Sequence, residues 1–114
     1  MTLSQLLFTF EGRISRKAYW FGALVLFAAG LAASILDWVL TGTMNSGMSM
    51  IAGLVSFVAG LAISVKRWHD RDKSGWWVLI VLVPFIGWLW ALIENGFLPG
   101  TPGPNRFGPD PLGY

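Results

Sequence analysis

The chain has 114 residues, of which 54 % are apolar and 12 % charged, with a net charge of +2 and a mean hydropathy of +0.59. Soluble domains carry about 25 % charged residues, so half that share leaves too little polar surface for a water-facing globule of this size. The basic residues fall in two clusters rather than on one broad face, which argues against nucleic acid as a partner, and the absence of cysteine excludes disulfides, thiolate metal ligands and a Cys nucleophile.

Residues 2–10, Thr-Leu-Ser-Gln-Leu-Leu-Phe-Thr-Phe, put Leu3, Leu6, Leu7 and Phe10 on one helical stripe. So short a stretch cannot span a bilayer; it is either an amphipathic helix lying in the interface or an unstructured terminus. Arg13, Arg16 and Lys17 follow, with Ser15 placed to cap the next helix.

Residues 18–36 contain no charge and extend into a first span of about 18–40. At 1.5 Å per residue, ~20 residues cross a ~30 Å hydrocarbon core. The apolar run is too long for the core of a cleaved signal peptide, so it is expected to remain as a span. Trp20 and Trp38 lie 18 residues apart, about 27 Å along a helix, which puts one ring in each interfacial belt. The connection 41–47 has no basic residue.

A second uncharged run gives a span over 48–66. Its small residues Ala52, Ser56, Gly60 and Ser64 recur every fourth position, as do Ala29 with Ala33 and Gly30 with Ser34 in the first span. Such ladders let helices approach closely, either within the chain or in a homo-oligomer. A third run predicts a span over 75–94, with Ser74 as its cap, a kink at Pro84 and close contact near Gly87. Trp88 and Trp90 are then expected near the interface opposite Trp76 and Trp77.

The expected fold is therefore all-α, a small integral membrane helical bundle of three transmembrane helices. Residues 1–98 form the membrane part, and the Gly/Pro-rich tail 99–114 is irregular and belongs to the same single domain. Seven basic residues, Arg13, Arg16, Lys17, Lys66, Arg67, Arg71 and Lys73, flank one side of the three spans, against Arg106 alone on the other. The positive-inside rule then places the N-terminus and the 66–74 loop in the cytoplasm and the tail outside.

The stretch Lys66–Trp77 concentrates six charges and the single histidine. On a helix Arg67 and Arg71 share a face and repel unless an anion lies between them, supplied by Asp70 or by a lipid phosphate. The candidate headgroup or charged-collar residues are Arg13, Arg16, Lys17, Lys66, Arg67, His69, Asp70, Arg71 and Lys73. The candidate interfacial anchors are Tyr19, Trp20, Trp38, Trp68, Trp76, Trp77 and Trp90. His69 beside Asp70 invites a general-base reading. Adjacent helical residues do not face each other, however, and no nucleophile is marked, so no catalytic residue, metal or cofactor is assigned. Asp37 and Glu94 are expected at one depth, with Arg106 paired to either or Asp37 solvated.

Four ordered motifs carry a resemblance. Phe10-Glu11-Gly12-Arg13-Ile14-Ser15-Arg16-Lys17-Ala18-Tyr19-Trp20 opens the chain, and Arg67-Trp68-His69-Asp70 with Lys73-Ser74-Gly75-Trp76-Trp77 lies at its centre. Pro84-Phe85-Ile86-Gly87 follows, and Gly100-Thr101-Pro102-Gly103-Pro104-Asn105-Arg106-Phe107-Gly108-Pro109-Asp110-Pro111 closes it. Together they resemble the bacterial inner-membrane group called domain of unknown function 805, the YhaH-like proteins, with Trp68 standing where that group has Leu. The resemblance implies a multi-pass inner-membrane protein without an assigned activity. It implies that Gly12, Arg13, Arg16, Tyr19, Trp20, Arg67, His69, Asp70, Ser74, Gly75, Trp76, Asn105, Gly108, Asp110 and Pro111 belong to recurring motifs, and that Arg13 and Arg16 approach Asp70 or Asp72. The expected function is a non-enzymatic membrane component that binds anionic headgroups, a partner membrane protein or a second copy of itself. A small transporter or channel subunit is the alternative, and a membrane enzyme using His69 and Asp70 a further one.

Overall fold

The computed structural model describes residues 2–43 and 47–112. Its regular elements are helical: α1 (Leu3–Phe8), α2 (Arg16–Thr41), α3 (Gly47–Asp70), a 3-10 helix (Gly75–Leu82) and α4 (Ile86–Gly96). The tail from residue 99 is irregular, and residues 44–46 of the first connection and 113–114 of the tail lie outside the described residues.

α1 forms because Thr2 and Gln5 make a reciprocal cap: the Thr2 hydroxyl accepts from the Gln5 N–H at 3.2 Å, and the Gln5 side chain accepts from the Thr2 N–H at 2.9 Å. Two of the four stripe residues, Leu6 and Leu7, are buried with Ile14, Ala59 and Ile63, while Leu3 and Phe10 stay exposed.

α2 begins where the Ser15 side chain accepts from the Ala18 N–H, and it stops at Gly42, whose left-handed φ of 77° lets its N–H return to the Trp38 carbonyl. With 26 residues it is about 39 Å long, and the 24 residues of α3 give about 36 Å. The two run antiparallel, and Asp37 closes their hairpin. Its carboxylate, 2 % exposed, accepts from the backbone N–H groups of Met48 at 3.0 Å and Ser49 at 2.8 Å, an anion at the positive start of α3.

The stretch 75–94 is not one spanning helix. Eight residues of 3-10 helix rise about 16 Å, and the 11 residues of α4 rise about as much. Between them Pro84 has no N–H to continue a helix, and Phe85 adopts φ 63°. The Val83 N–H closes on the Ile80 carbonyl at 3.0 Å, and the Gly87 N–H on the Val83 carbonyl at 3.0 Å. The chain turns back rather than kinking: Trp90 stacks on Trp77 with centroids 6.3 Å apart, and the Trp88 indole donates to the Val81 carbonyl at 2.8 Å. The result is a hairpin about half as deep as α2 and α3 are long, with Trp90 in the layer of Trp77 rather than at the opposite end.

The molecule is inverted relative to a soluble protein. Leu24, Phe27, Leu54, Phe57 and Leu82 are exposed, whereas Arg13, Lys66, Arg67, Asp70 and Glu94 are buried. Only 6 % of the most apolar part of α2 and 17 % of that of α3 is buried inside the structure. A soluble core helix would bury that surface, so these two helices are built for a hydrocarbon solvent.

Candidate functional site

The buried charges gather at one end of the helices, around Asp70, the last residue of α3. One carboxylate oxygen of Asp70 takes the Arg13 Nε at 2.8 Å, and the other takes the Arg67 guanidinium one turn earlier. Neither arginine relies on the carboxylate alone. Arg13 also donates to the Gly103 carbonyl at 2.7 Å and the Thr101 carbonyl at 2.5 Å. Arg67 donates to the carbonyls of Ile14 at 2.9 Å, Asn95 at 2.6 Å and Leu98 at 2.9 Å. Two cations with one anion, all with side chains at most 5 % exposed, are tolerable here because five backbone carbonyls complete the shell.

All of these bonds except the Arg67–Asp70 pair, which lies within α3, cross between elements. Arg67 ties α3 to the residues before α2, to the end of α4 and to the start of the tail; Arg13 ties the segment before α2 to α3 and to the tail. The Thr101 N–H donates to the Asp70 carbonyl at 2.6 Å, and the Asn105 side-chain amide donates to the His69 carbonyl at 2.9 Å. At Gly100 an added Cβ would lie 2.0 Å from Asp70 Oδ2, so only glycine lets the tail pass so close to the carboxylate. Asp110 turns the tail's far end: the Leu112 N–H, more than any other partner, holds its carboxyl below the ordinary carboxylate range. Partial burial opposes this, while the Gly103 N–H and the charge of Arg13 assist.

The tail therefore lies at the same end of the molecule as residues 13–17 and 66–73, not at the other. The expectation of a tail on the far side came from counting 75–94 as one continuous spanning helix, and that stretch is instead a 3-10 helix and α4 joined by a turn at Pro84. Arg106 accordingly pairs with Asp72 at 3.2 Å. Asp37 and Glu94 do not share a depth: Asp37 lies at the opposite end, and Glu94 receives Arg71 at 3.0 Å, Lys73, and the Trp90 indole at 2.6 Å.

The remaining sequence candidates divide clearly. Lys66 reaches back to cap the last carbonyls of α1, donating to Gln5 at 2.6 Å and to Leu6. Lys73 also lies 4.7 Å from the centre of the Trp77 ring, a cation–π arrangement. His69 Nδ1 donates to the Gly12 carbonyl at 2.8 Å, and its ring stacks on Phe107 at 3.9 Å. His69 and Asp70 thus serve different partners and do not address each other. Arg16 donates to the Phe97 carbonyl at 2.8 Å and stays exposed, and Lys17 is exposed with no ion pair among the described residues. Trp20 donates to the Gly96 carbonyl at 2.8 Å, and Trp20, Trp38, Trp76, Trp77 and Trp90 present exposed ring surface. Tyr19 is half-buried, its ring edge-on to Trp20 at 5.4 Å. Trp68, expected among the interfacial rings, is wholly buried.

The site draws on three of the quoted motifs, at residues 12–16, 67–73 and 100–110. The family model described as "Protein of unknown function (DUF805)" matches residues 7–109, a stretch that contains the first two and all of the third but Asp110. The chain belongs to the DUF805 family. It is similar to the "Inner membrane protein YhaH" of Escherichia coli strain K12, with 43 % identity over 106 residues, covering 90 % of this chain and 86 % of the relative. It is also similar to "Inner membrane protein YhaI" of the same strain, with 40 % identity over 102 residues and coverage of 90 % and 85 %. A third relative from that strain, "Uncharacterized protein YiiR", is 30 % identical, covering 96 % of this chain and 90 % of its own. No solved structure matches the chain. The exposed apolar helices and these relatives place this DUF805 chain among inner-membrane proteins.

Sequence reasoning missed Asn95, Leu98 and Phe107. Two of them contribute backbone carbonyls, which leave no trace in side-chain chemistry. Phe107 carried a signal in its place beside Arg106 within a Gly/Pro-rich tail, where an aromatic ring needs somewhere to pack.

Proposed function

We propose that the chain is a non-enzymatic component of the bacterial inner membrane that crosses it twice, keeps both ends cytoplasmic, and binds anionic lipid headgroups through Arg16 and Lys17. The carrying observation is the distribution of charge. All eight Lys and Arg lie at one end of the helices, and the connection 41–47 at the other end has none. An eight-to-none split is a stronger positive-inside signal than the seven-to-one split of a three-span reading. The hairpin 75–96 then enters and leaves on the cytoplasmic side, where its non-helical turn is covered in part by its own indole bond to Val81.

Internal engagement narrows the lipid-binding set. Arg13, Lys66, Arg67, Arg71, Lys73 and Arg106 are each committed to carboxylates or carbonyls within the chain. Arg16, whose one bond is to the Phe97 carbonyl, and Lys17 remain exposed at the start of α2, the end of the span where headgroup phosphates are expected. Near an anionic surface each is worth about 1 kcal/mol. In native mass spectrometry of the detergent-extracted protein, phosphatidylglycerol is expected to stay bound. Arg16→Gln with Lys17→Gln should weaken it by about 2 kcal/mol, roughly thirtyfold. Arg71→Gln, whose parent guanidinium is engaged by Glu94, should change it little. Unaltered retention in the double variant contradicts the lipid assignment.

A further inference from the structure

The elements that pack against the two long helices all do so at one end. In α3 the buried residues begin at Ala59, and none of residues 47–58 is buried. In α2 none of residues 23–36 is buried; Gly22 marks the limit of the covered part, and Asp37 is buried at the far turn. α1 is seated at that limit. A Cβ on Gly22 would lie 3.3 Å from an Ile63 methyl and 3.5 Å from a Leu6 methyl, and Lys66 caps the end of α1. The 3-10 helix starts beside α3, where a Cβ on Gly75 would lie 2.7 Å from Val65, and its Trp77 ring rests 5.8 Å from that of Trp68. α4 ends against α2, with the Trp20 indole donating to the Gly96 carbonyl at 2.8 Å. Among the described residues, five helical segments therefore share the basic end of the molecule, and two share the other end.

The added bulk faces hydrocarbon rather than water. Trp76, Leu79, Leu82, Phe85 and Ile86 of the hairpin are each more than half exposed. Water would penalise that surface, whereas lipid tails would not. The two arms of the hairpin rise about 16 Å each, roughly half of a ~30 Å hydrocarbon core. They displace tails from one leaflet, while α2 and α3 alone cross the other. Apolar bulk placed in one leaflet widens it relative to its partner. The mismatch is relieved where the bilayer already bends with the widened leaflet on the convex side, which makes such insertion sensitive to curvature.

We infer that the protein is a one-sided wedge that gathers where the leaflet holding its basic end is convex. The inference rests on the two-crossing reading, since a segment 75–96 that crossed would load both leaflets alike. The chain has no cysteine, so one fluorophore is placed at Leu112→Cys, in the tail. The labelled full chain is reconstituted in vesicles of phosphatidylethanolamine and phosphatidylglycerol of mixed diameter. Single-vesicle imaging gives protein per unit of membrane area, and a membrane-impermeant quencher divides it into molecules with the tail outside and inside. Between vesicles of about 200 nm and about 50 nm, the tail-outside density is expected to rise at least about twofold and the tail-inside density to fall. Opposite slopes in one vesicle population exclude a bias of reconstitution, which would act on both orientations. A second label at Leu82→Cys, quenched by spin-labelled lipids, reads the depth of the hairpin tip. A tip near the bilayer centre with tail-outside density flat or falling overturns the wedge and leaves the two-crossing reading standing. A tip at the headgroups of the far leaflet overturns that reading, and the wedge with it.

Discussion

Asp70→Ala is expected to destabilise the protein by about 3–5 kcal/mol, the scale of removing one partner from a buried ion pair. The change strands two buried guanidinium groups at once, since Arg13 and Arg67 both close on that carboxylate. Their carbonyl bonds would remain in place, but two like charges would then face each other without an anion in a desolvated pocket. The tail should detach first, because Arg13, Arg67 and Gly100 tie it to this one residue. Unfolding in mixed micelles measures the loss, and limited proteolysis after residue 99 measures the release. Arg106→Gln is the control. Its pair with Asp72 is largely exposed, 62 % and 46 % for the two side chains, so the loss should stay within about 1 kcal/mol. Equal effects in the two variants would mean that the Asp70 cluster is not what holds the tail.

Gly87→Ala is the second large effect. A Cβ there would lie 1.8 Å from the Ile80 carbonyl oxygen and 2.9 Å from its carbon, both backbone atoms. No rotamer change relieves such a clash, so the turn at Val83–Ile86 must open and lose the Val83 bond to Ile80. A loss of more than about 3 kcal/mol is expected, in the range reserved for backbone or core disruption. Gly60→Ala gives the contrast. Nothing lies within 4 Å of a Cβ at that position, and α3 gains helix propensity, so stability should rise by up to about 1 kcal/mol. The pair of variants separates a glycine demanded by the turn from one that is merely small.

Gly60 also bears on the small-residue ladder. Within the chain, Ala52, Ser56, Gly60 and Ser64 do not mark the contact face: the buried small residues of α3 are Ala59 and Ala62. A 3.6-residue repeat drifts against a strict four-residue ladder, and over three turns the contact face moves by about one position. The two long helices were legible because length and lack of charge decide them. The hairpin was half legible. Pro84 and Gly87 both stood out in the sequence, but a proline kink and a full reversal share the same local signature. What decides between them is the close approach of Gly87 to Ile80, together with the return of Glu94 to Arg71 and Lys73, and both are tertiary facts.

The charged cluster was legible as residue types and not as partners. The approach of Arg13 to Asp70 was foreseeable because Arg13 just precedes the first span and Asp70 just follows the second. The role of Arg67 was not, since three of its acceptors are backbone carbonyls drawn from three segments. The tail's place beside Arg13 and Asp70 was not legible because 75–94 reads as one unbroken helix, whereas the chain turns back at Pro84. Arg106 held the missing clue, because moving it to the near side gathers every basic residue at one end.

The two-crossing account is tested most directly by labelling from one face. The chain has no cysteine, so single variants Thr2→Cys, Thr43→Cys and Leu112→Cys each report one position. With a membrane-impermeant maleimide applied to intact spheroplasts, Thr43→Cys is expected to react, while Thr2→Cys and Leu112→Cys react only after the membrane is opened. Labelling of Leu112→Cys in intact spheroplasts while Thr2→Cys stays protected would put the two ends on opposite faces and contradict the hairpin.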